Sequence, residues 1–208
     1  MAKKTNLIGV KVLGSNGVGS LSAVIAGLDW AVQDAQNNSR IEKSVANLSL
    51  GGGYSDTANA AVTAAVNQGL FCAVAAGNSN LPVKKSSPGS APEACTVGAI
   101  DENDVRAGFS NYGQLIDVFA PGVFVESTWI DGPDSTAVLS GTSMASPHVA
   151  GLGAYLLGLG HGSPGRNALC TAIKKISTKS AVLDPAGSPN RIAFNGGGGS
   201  VIKALRGR

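Results

Sequence analysis

One stretch of this sequence has residue types and spacing suited to nucleophilic chemistry: Gly141-Thr142-Ser143-Met144-Ala145-Ser146-Pro147-His148-Val149-Ala150-Gly151. The pattern predicts an apolar helix starting at Thr142, so Ser143 falls in its first turn. Backbone N–H groups there lack intrahelical partners and face the positive end of the helix dipole. A serine so placed can attack a carbonyl through its hydroxyl while its own N–H stabilises the oxyanion that forms. Gly141 would let a substrate backbone approach, and the small Ala145 and Ala150 would let the helix lie close to a sheet. A bare Gly-Thr-Ser also reads as an ordinary capped helix start. The full string favours the nucleophile.

Other chemistries find less support. The turn Gly17-Val18-Gly19 has neither the full dinucleotide spacing nor the lysine of a phosphate-binding loop. The three cysteines, Cys72, Cys95 and Cys170, have no metal-like spacing. One disulfide with a free thiol, or three reduced buried thiols, are equally open readings. The net charge of +3 is carried without a basic run longer than a lysine pair, and aromatic content is only 5%, so no nucleic-acid partner is expected. No apolar stretch reaches the roughly 18–20 residues of a membrane span, so no membrane partner is expected. Lys3 and Lys4 precede a short apolar run without a small-residue cleavage site, so no signal peptide is expected in this chain.

A nucleophile needs a rigid frame, and the hydrophobic pattern predicts one. A chain of 208 residues, 43% hydrophobic and 14% charged, suits one core-rich domain. Strands are predicted over 7–13, 45–50, 70–76, 95–100 and 115–119. Helices are predicted over 22–36, with Val24, Ile25, Leu28 and Val32 on one stripe, and over 57–67, 142–159 and 166–176. Nearly all-apolar strands alternating with helices imply an α/β fold: three layers, a parallel sheet with helices on both faces.

The two ends read differently. The chain opens directly into a strand with no preceding cap or edge element, which leads us to expect that an N-terminal part of the domain is absent. Residues 1–195 are read as domain, and 196–208 as a glycine-rich linker followed by a basic tail.

From about Ala2 to Asn195 the sequence resembles the subtilisin family and, within it, the fungal proteinase K-like branch. Besides the serine string, the resemblance rests on Ala2-Lys3-Lys4-Thr5, Gly9-Val10-Lys11-Val12-Leu13 and Leu48-Ser49-Leu50-Gly51-Gly52-Gly53. It continues in Ala73-Val74-Ala75-Ala76-Gly77-Asn78, Cys95-Thr96-Val97-Gly98-Ala99 and Phe109-Ser110-Asn111-Tyr112-Gly113. The resemblance implies a serine endopeptidase acting on polypeptides through an acyl-enzyme on Ser143, with the Asn78 side chain donating to the oxyanion. Taken alone, Asn78 would read as a turn residue after Gly77.

Further implications follow residue by residue. Ser49, Leu50, Gly51 and Gly52 match one wall of the specificity pocket, and Ala76 and Gly77, just before Asn78, are expected to bind substrate as well. Gly17 and Gly19 match the edge segment opposite, so that substrate would bind as an added strand. The branch's calcium ligands correspond to the carbonyls of Pro92 and Ala94 and the carboxylate of Asp117; alone, Asp117 reads as a turn cap. A family disulfide corresponds to Cys95 and Cys170, implying an oxidising, extracellular compartment. No cofactor is required for the chemistry.

One part of the family pattern is missing. In subtilisins an aspartate and then a histidine precede the serine along the chain, and the His-Gly-Thr-His motif is not found here. His148 matches a structural position, and His161, between glycines, reads as a solvated loop residue. The expectation is therefore a truncated endopeptidase for which the missing N-terminal segment is a candidate partner. The alternative is a catalytically inactive fragment that binds peptides or an inhibitor.

Overall fold

The computed structural model describes residues 2–161 and 168–197. Its strands are β1 (Val45–Leu48), β2 (Gly52–Gly53), β3 (Phe71–Ala75), β4 (Ser86–Ser87), β5 (Cys95–Ile100), β6 (Val118–Pro121), β7 (Val125–Thr128), β8 (Thr136–Leu139), β9 (Thr178–Lys179) and β10 (Arg191–Ile192). The helices are α1 (Leu21–Asn37), α2 (Asp56–Asn67), α3 (Thr142–Gly158) and α4 (Ala168–Ile176).

One sheet runs in the order β1-β3-β5-β6-β10-β9. Neighbours from β1 to β10 are parallel, and β9 joins antiparallel at the edge. Successive side chains on a strand point to opposite faces, and β3 shows the consequence. Phe71 and Ala73 pack with Val97, Val149 and Leu152 on the face covered by α3 and α4. Cys72 and Val74 pack with Leu28, Val32 and Val62 on the face covered by α1 and α2. Apolar side chains are thus buried on both faces, which gives the expected α/β architecture.

The helices begin where the sequence supplies caps. Ser20 Oγ accepts the Ala23 N–H (3.1 Å) at the start of α1, and Ser55 Oγ accepts the Ala58 N–H (3.2 Å) at the start of α2. The link between Cys95 on β5 and Cys170 on α4, with Cα atoms 5.6 Å apart, joins α4 to the middle of the sheet.

Several expectations need correction. Residues 7–13 form no strand, because a strand needs a ladder partner and none of the described residues pairs with them. The strand expected from 115 begins at Val118, since Ile116 donates its N–H to the Gly113 carbonyl in a turn. The hairpin β7–β8 was not anticipated; its residues are mostly exposed, so no apolar run marks it. His161 is buried rather than solvated. Residues 166–167 of the expected last helix and most of the 196–208 tail lie outside the described residues.

Candidate active site

Ser143 stands in the first turn of α3, which is capped by Gly141 without any side-chain bond. Pro147 lies further along this helix and has no N–H to give the Ser143 carbonyl, as the helical ladder would require. The Ser49 hydroxyl donates to that carbonyl instead (2.7 Å). Asn47 Nδ2 donates to Ser49 Oγ (3.0 Å), and Ser146 Oγ donates to Asn47 Oδ1 (2.7 Å). The end of β1 is thereby tied to the turn that carries Ser143.

Asn78 is held through one atom. Its Oδ1 accepts from both the N–H and the Oγ1 of Thr142, each at 2.8 Å. Thr142 Oγ1 in turn accepts the Gly77 N–H (3.1 Å), and Thr142 is fully buried. With Oδ1 engaged, Nδ2 remains to donate elsewhere. A Cβ placed on Gly141 would lie 3.4 Å from Asn78 Nδ2 and 3.6 Å from Ser143 N. Asn78 Nδ2 and Ser143 N therefore both lie beside Gly141, together with Met144 Sδ.

The loop carrying Asn78 is fixed from below by Asn111, which is buried. Asn111 Oδ1 accepts the N–H groups of Ser79 (3.2 Å) and Leu81 (3.0 Å), and its Nδ2 donates to the Ala76 carbonyl (2.8 Å) and Ser86 Oγ (3.0 Å). Gly77 adopts φ +103°, a conformation that favours glycine, and a side chain there would strike the Asn111 amide. Gly52 and Gly53 pair antiparallel with Ser87 and Ser86, closing a wall of the site.

The structure brings Gly17, Gly19, Ser49, Leu50, Gly51, Gly52, Ala76, Gly77, Asn78 and Ser143 to one cleft of about 790 Å³. Its base-forming group is another matter. Ser143 Oγ donates only a long bond, to the Ser49 carbonyl at 3.4 Å. His148 Nδ1 bonds the Met144 carbonyl (2.8 Å) on its own helix, and buried His161 lies past that helix's far end. Neither of the chain's two histidines pairs with the serine.

Pro92, Ala94 and Asp117 do not belong to this cleft. Asp117 precedes β6; its Oδ2 accepts the Thr96 N–H (2.9 Å) and its Oδ1 accepts from Lys174 Nζ of α4 (2.7 Å). The carboxylate that the resemblance assigns to calcium is therefore already paired with an ammonium. Cys72 is buried as a free thiol, and burial pushes its pKa up to about 12.

Sequence reasoning gave no role to Thr142, Asn111, Asn47 or Lys174. A buried threonine or asparagine must find hydrogen-bond partners, but the sequence does not say which distant groups those are.

The Subtilase (peptidase S8) family profile matches residues 1–195, and the chain belongs to that family. It is 51% identical over 197 residues to an alkaline serine protease of Corniculantispora psalliotae, covering 94% of this chain and 50% of that protein. It is 50% identical over 197 residues to a cuticle-degrading protease of Metarhizium anisopliae, with the same coverage. The chain spans about half the length of the curated relatives it matches, and the match lies in their C-terminal half. Among solved structures, a cold-adapted subtilisin-like serine proteinase superposes with a TM-score of 0.86 at 40% identity, over 93% of this chain and 68% of that one.

Proposed function

We propose that this chain carries the nucleophile, the oxyanion donors and the substrate walls of a serine endopeptidase. The observation that carries the reading is the anchoring of Asn78 Oδ1 on Thr142 (2.8 Å to N and to Oγ1), which leaves Asn78 Nδ2 to donate in the same cleft as Ser143. A peptide would lie as an added strand between Ser49–Gly52 and Gly17–Gly19, its carbonyl oxygen directed toward Asn78 Nδ2 and the Ser143 N–H. Ser143 Oγ attacks the carbonyl carbon, the oxyanion forms between the two donors, and collapse expels the amine and leaves an acyl-enzyme that water hydrolyses.

The proton on Ser143 must leave during attack, and neither histidine is placed to take it. In subtilisin, loss of the histidine lowers kcat by about 10⁶-fold. We assign the base to polypeptide other than these residues, corresponding to the half of the relatives that this chain does not match. The exposed Leu7, Ile8 and Val18 offer it an apolar surface. An extracellular setting fits the Cys95–Cys170 link. Among the described residues no helix is long and apolar enough to cross a membrane.

The absence of a histidine beside Ser143 Oγ, whose bond goes to the Ser49 carbonyl, favours a second reading, a fragment that binds peptides or an inhibitor in the same cleft without cleaving them. Hydrolysis of a chromogenic peptide separates the two. The expected result is negligible turnover by the chain alone, and turnover on adding the N-terminal half of the Corniculantispora relative, abolished by Ser143→Ala. Turnover by the chain alone that vanishes in Ser143→Ala would place the base inside it. Peptide binding without turnover in either sample would leave the binding module.

A further inference from the structure

Outside the cleft, α4 is fastened to the sheet at a second point beside its disulfide. Lys174, in the last turn of α4, reaches Asp117 at the foot of β6, with Nζ 2.7 Å from Oδ1. The other carboxylate oxygen accepts the Thr96 N–H of β5 (2.9 Å), and the Asp117 N–H donates to the Thr96 carbonyl (2.9 Å). A carboxylate oxygen and the sulfurs of Cys95 and Cys170 all lie within 4.8 Å of one another. The lysine and aspartate side chains are 29% and 18% exposed, so the pair is largely sheltered.

Shelter decides which cation this carboxylate can hold. Calcium requires six to eight oxygen ligands at about 2.3–2.6 Å, carboxylates foremost among them. Asp117 would have to give that ion an oxygen now held by an ammonium, and two cations would then share one partly desolvated negative charge. Like charges so placed are unfavourable. Lys174, by contrast, is tethered: its entropy of capture is met on folding, and its position at the end of α4 also suits the negative pole of that helix.

We propose that the Lys174 ammonium is the resident cation of this site, taking the place that family resemblance gives to calcium. Asp117 then locks α4 to β5 and β6 without metal, and the chain is indifferent to calcium at this point. Removal of the ammonium frees the carboxylate and opens a divalent-cation site where none was available before. This inference concerns stability and ion binding, and it stands or falls independently of hydrolysis at Ser143.

Thermal unfolding of the full chain in EDTA and in millimolar calcium tests it. The part of any calcium response that depends on Asp117 is the difference between the unaltered chain and Asp117→Asn; it is expected to be zero. Lys174→Gln should melt below the unaltered chain in EDTA. It should then gain roughly 5–10 °C at a calcium concentration about a hundred times Kd. Lys174→Arg, which keeps a cation, should show no gain. A calcium response of the unaltered chain that Asp117→Asn removes would overturn the proposal, as would a Lys174→Gln chain no more responsive than Asp117→Asn. Should the variants not fold, the Asp117 carboxyl carbon can be followed by NMR in the unaltered chain. It is expected not to move on adding calcium, and a saturating shift would sink the idea.

Discussion

The centre of the sheet and the N-terminal segment differ in how fully their apolar surface is used. In β3 and β5 every residue is buried, between α3 and α4 on one side and α1 and α2 on the other. Before α1 the opposite holds: Leu7 is 93% exposed and Val18 67%, and residues 7–13 have no ladder partner among the described residues. The cleft lies across this boundary. Ser143 and Asn78 stand on the well-packed side, whereas Gly17 and Gly19 line the rim on the bare side. A cleft built this way holds Asn78 and the turn of Ser143 by bonds to the packed side alone.

The sharpest test of that contrast is Phe71→Ala, at the packed centre where the ring is 2% exposed. It should cost about 3–5 kcal/mol, read as a lower urea midpoint. A loss under about 1 kcal/mol would mean that the centre relaxes as easily as the edge, in the range of ordinary surface changes. Ser49→Ala comes next. It removes the hydroxyl that serves the Ser143 carbonyl in place of the missing Pro147 N–H, and should cost about 1–3 kcal/mol. An unchanged midpoint would show that water replaces the bond.

Cys72 tests the packed side by pH. Burial raises its thiol from the ordinary 9.0 to about 12, so the folded state holds the proton more tightly than the unfolded one. The associated stability is fully present below about pH 9 and is lost as pH rises toward 12. Cys72→Ala should flatten that alkaline fall in urea midpoints; an equally steep fall would assign it to other groups.

The smallest effect is expected at the bare edge. Leu7→Ser with Ile8→Ser should change the midpoint by no more than about 0.5 kcal/mol while lowering light scattering by the concentrated protein. A cost near that of Phe71→Ala would show that something covers this segment in solution, and the contrast would fail.

Much of this was legible from local pattern. The β5 run 95–100 and the helices near 21–37 and 56–67 were read within a residue or so, because buried strands and amphipathic helices imprint their periods on the sequence. The serine turn was legible for the same reason, since a helix start has a chemical signature. The segment 7–13 was misread because apolar, β-prone residues signal a strand only when a neighbour exists to complete the ladder. The hairpin β7–β8 was missed because exposed strands need no apolar run.

Sequence by itself determined the α/β class, the subtilase membership and the identity of Ser143 as the candidate nucleophile, since each resides in contiguous residues. Only the tertiary structure decided that Thr142 pins Asn78 across 64 positions, that Ser49 replaces a helical bond across 94, and that Lys174 claims Asp117 across 57. Such pairings depend on where the folded backbone sets two side chains to within an ångström, and no local spacing encodes that distance.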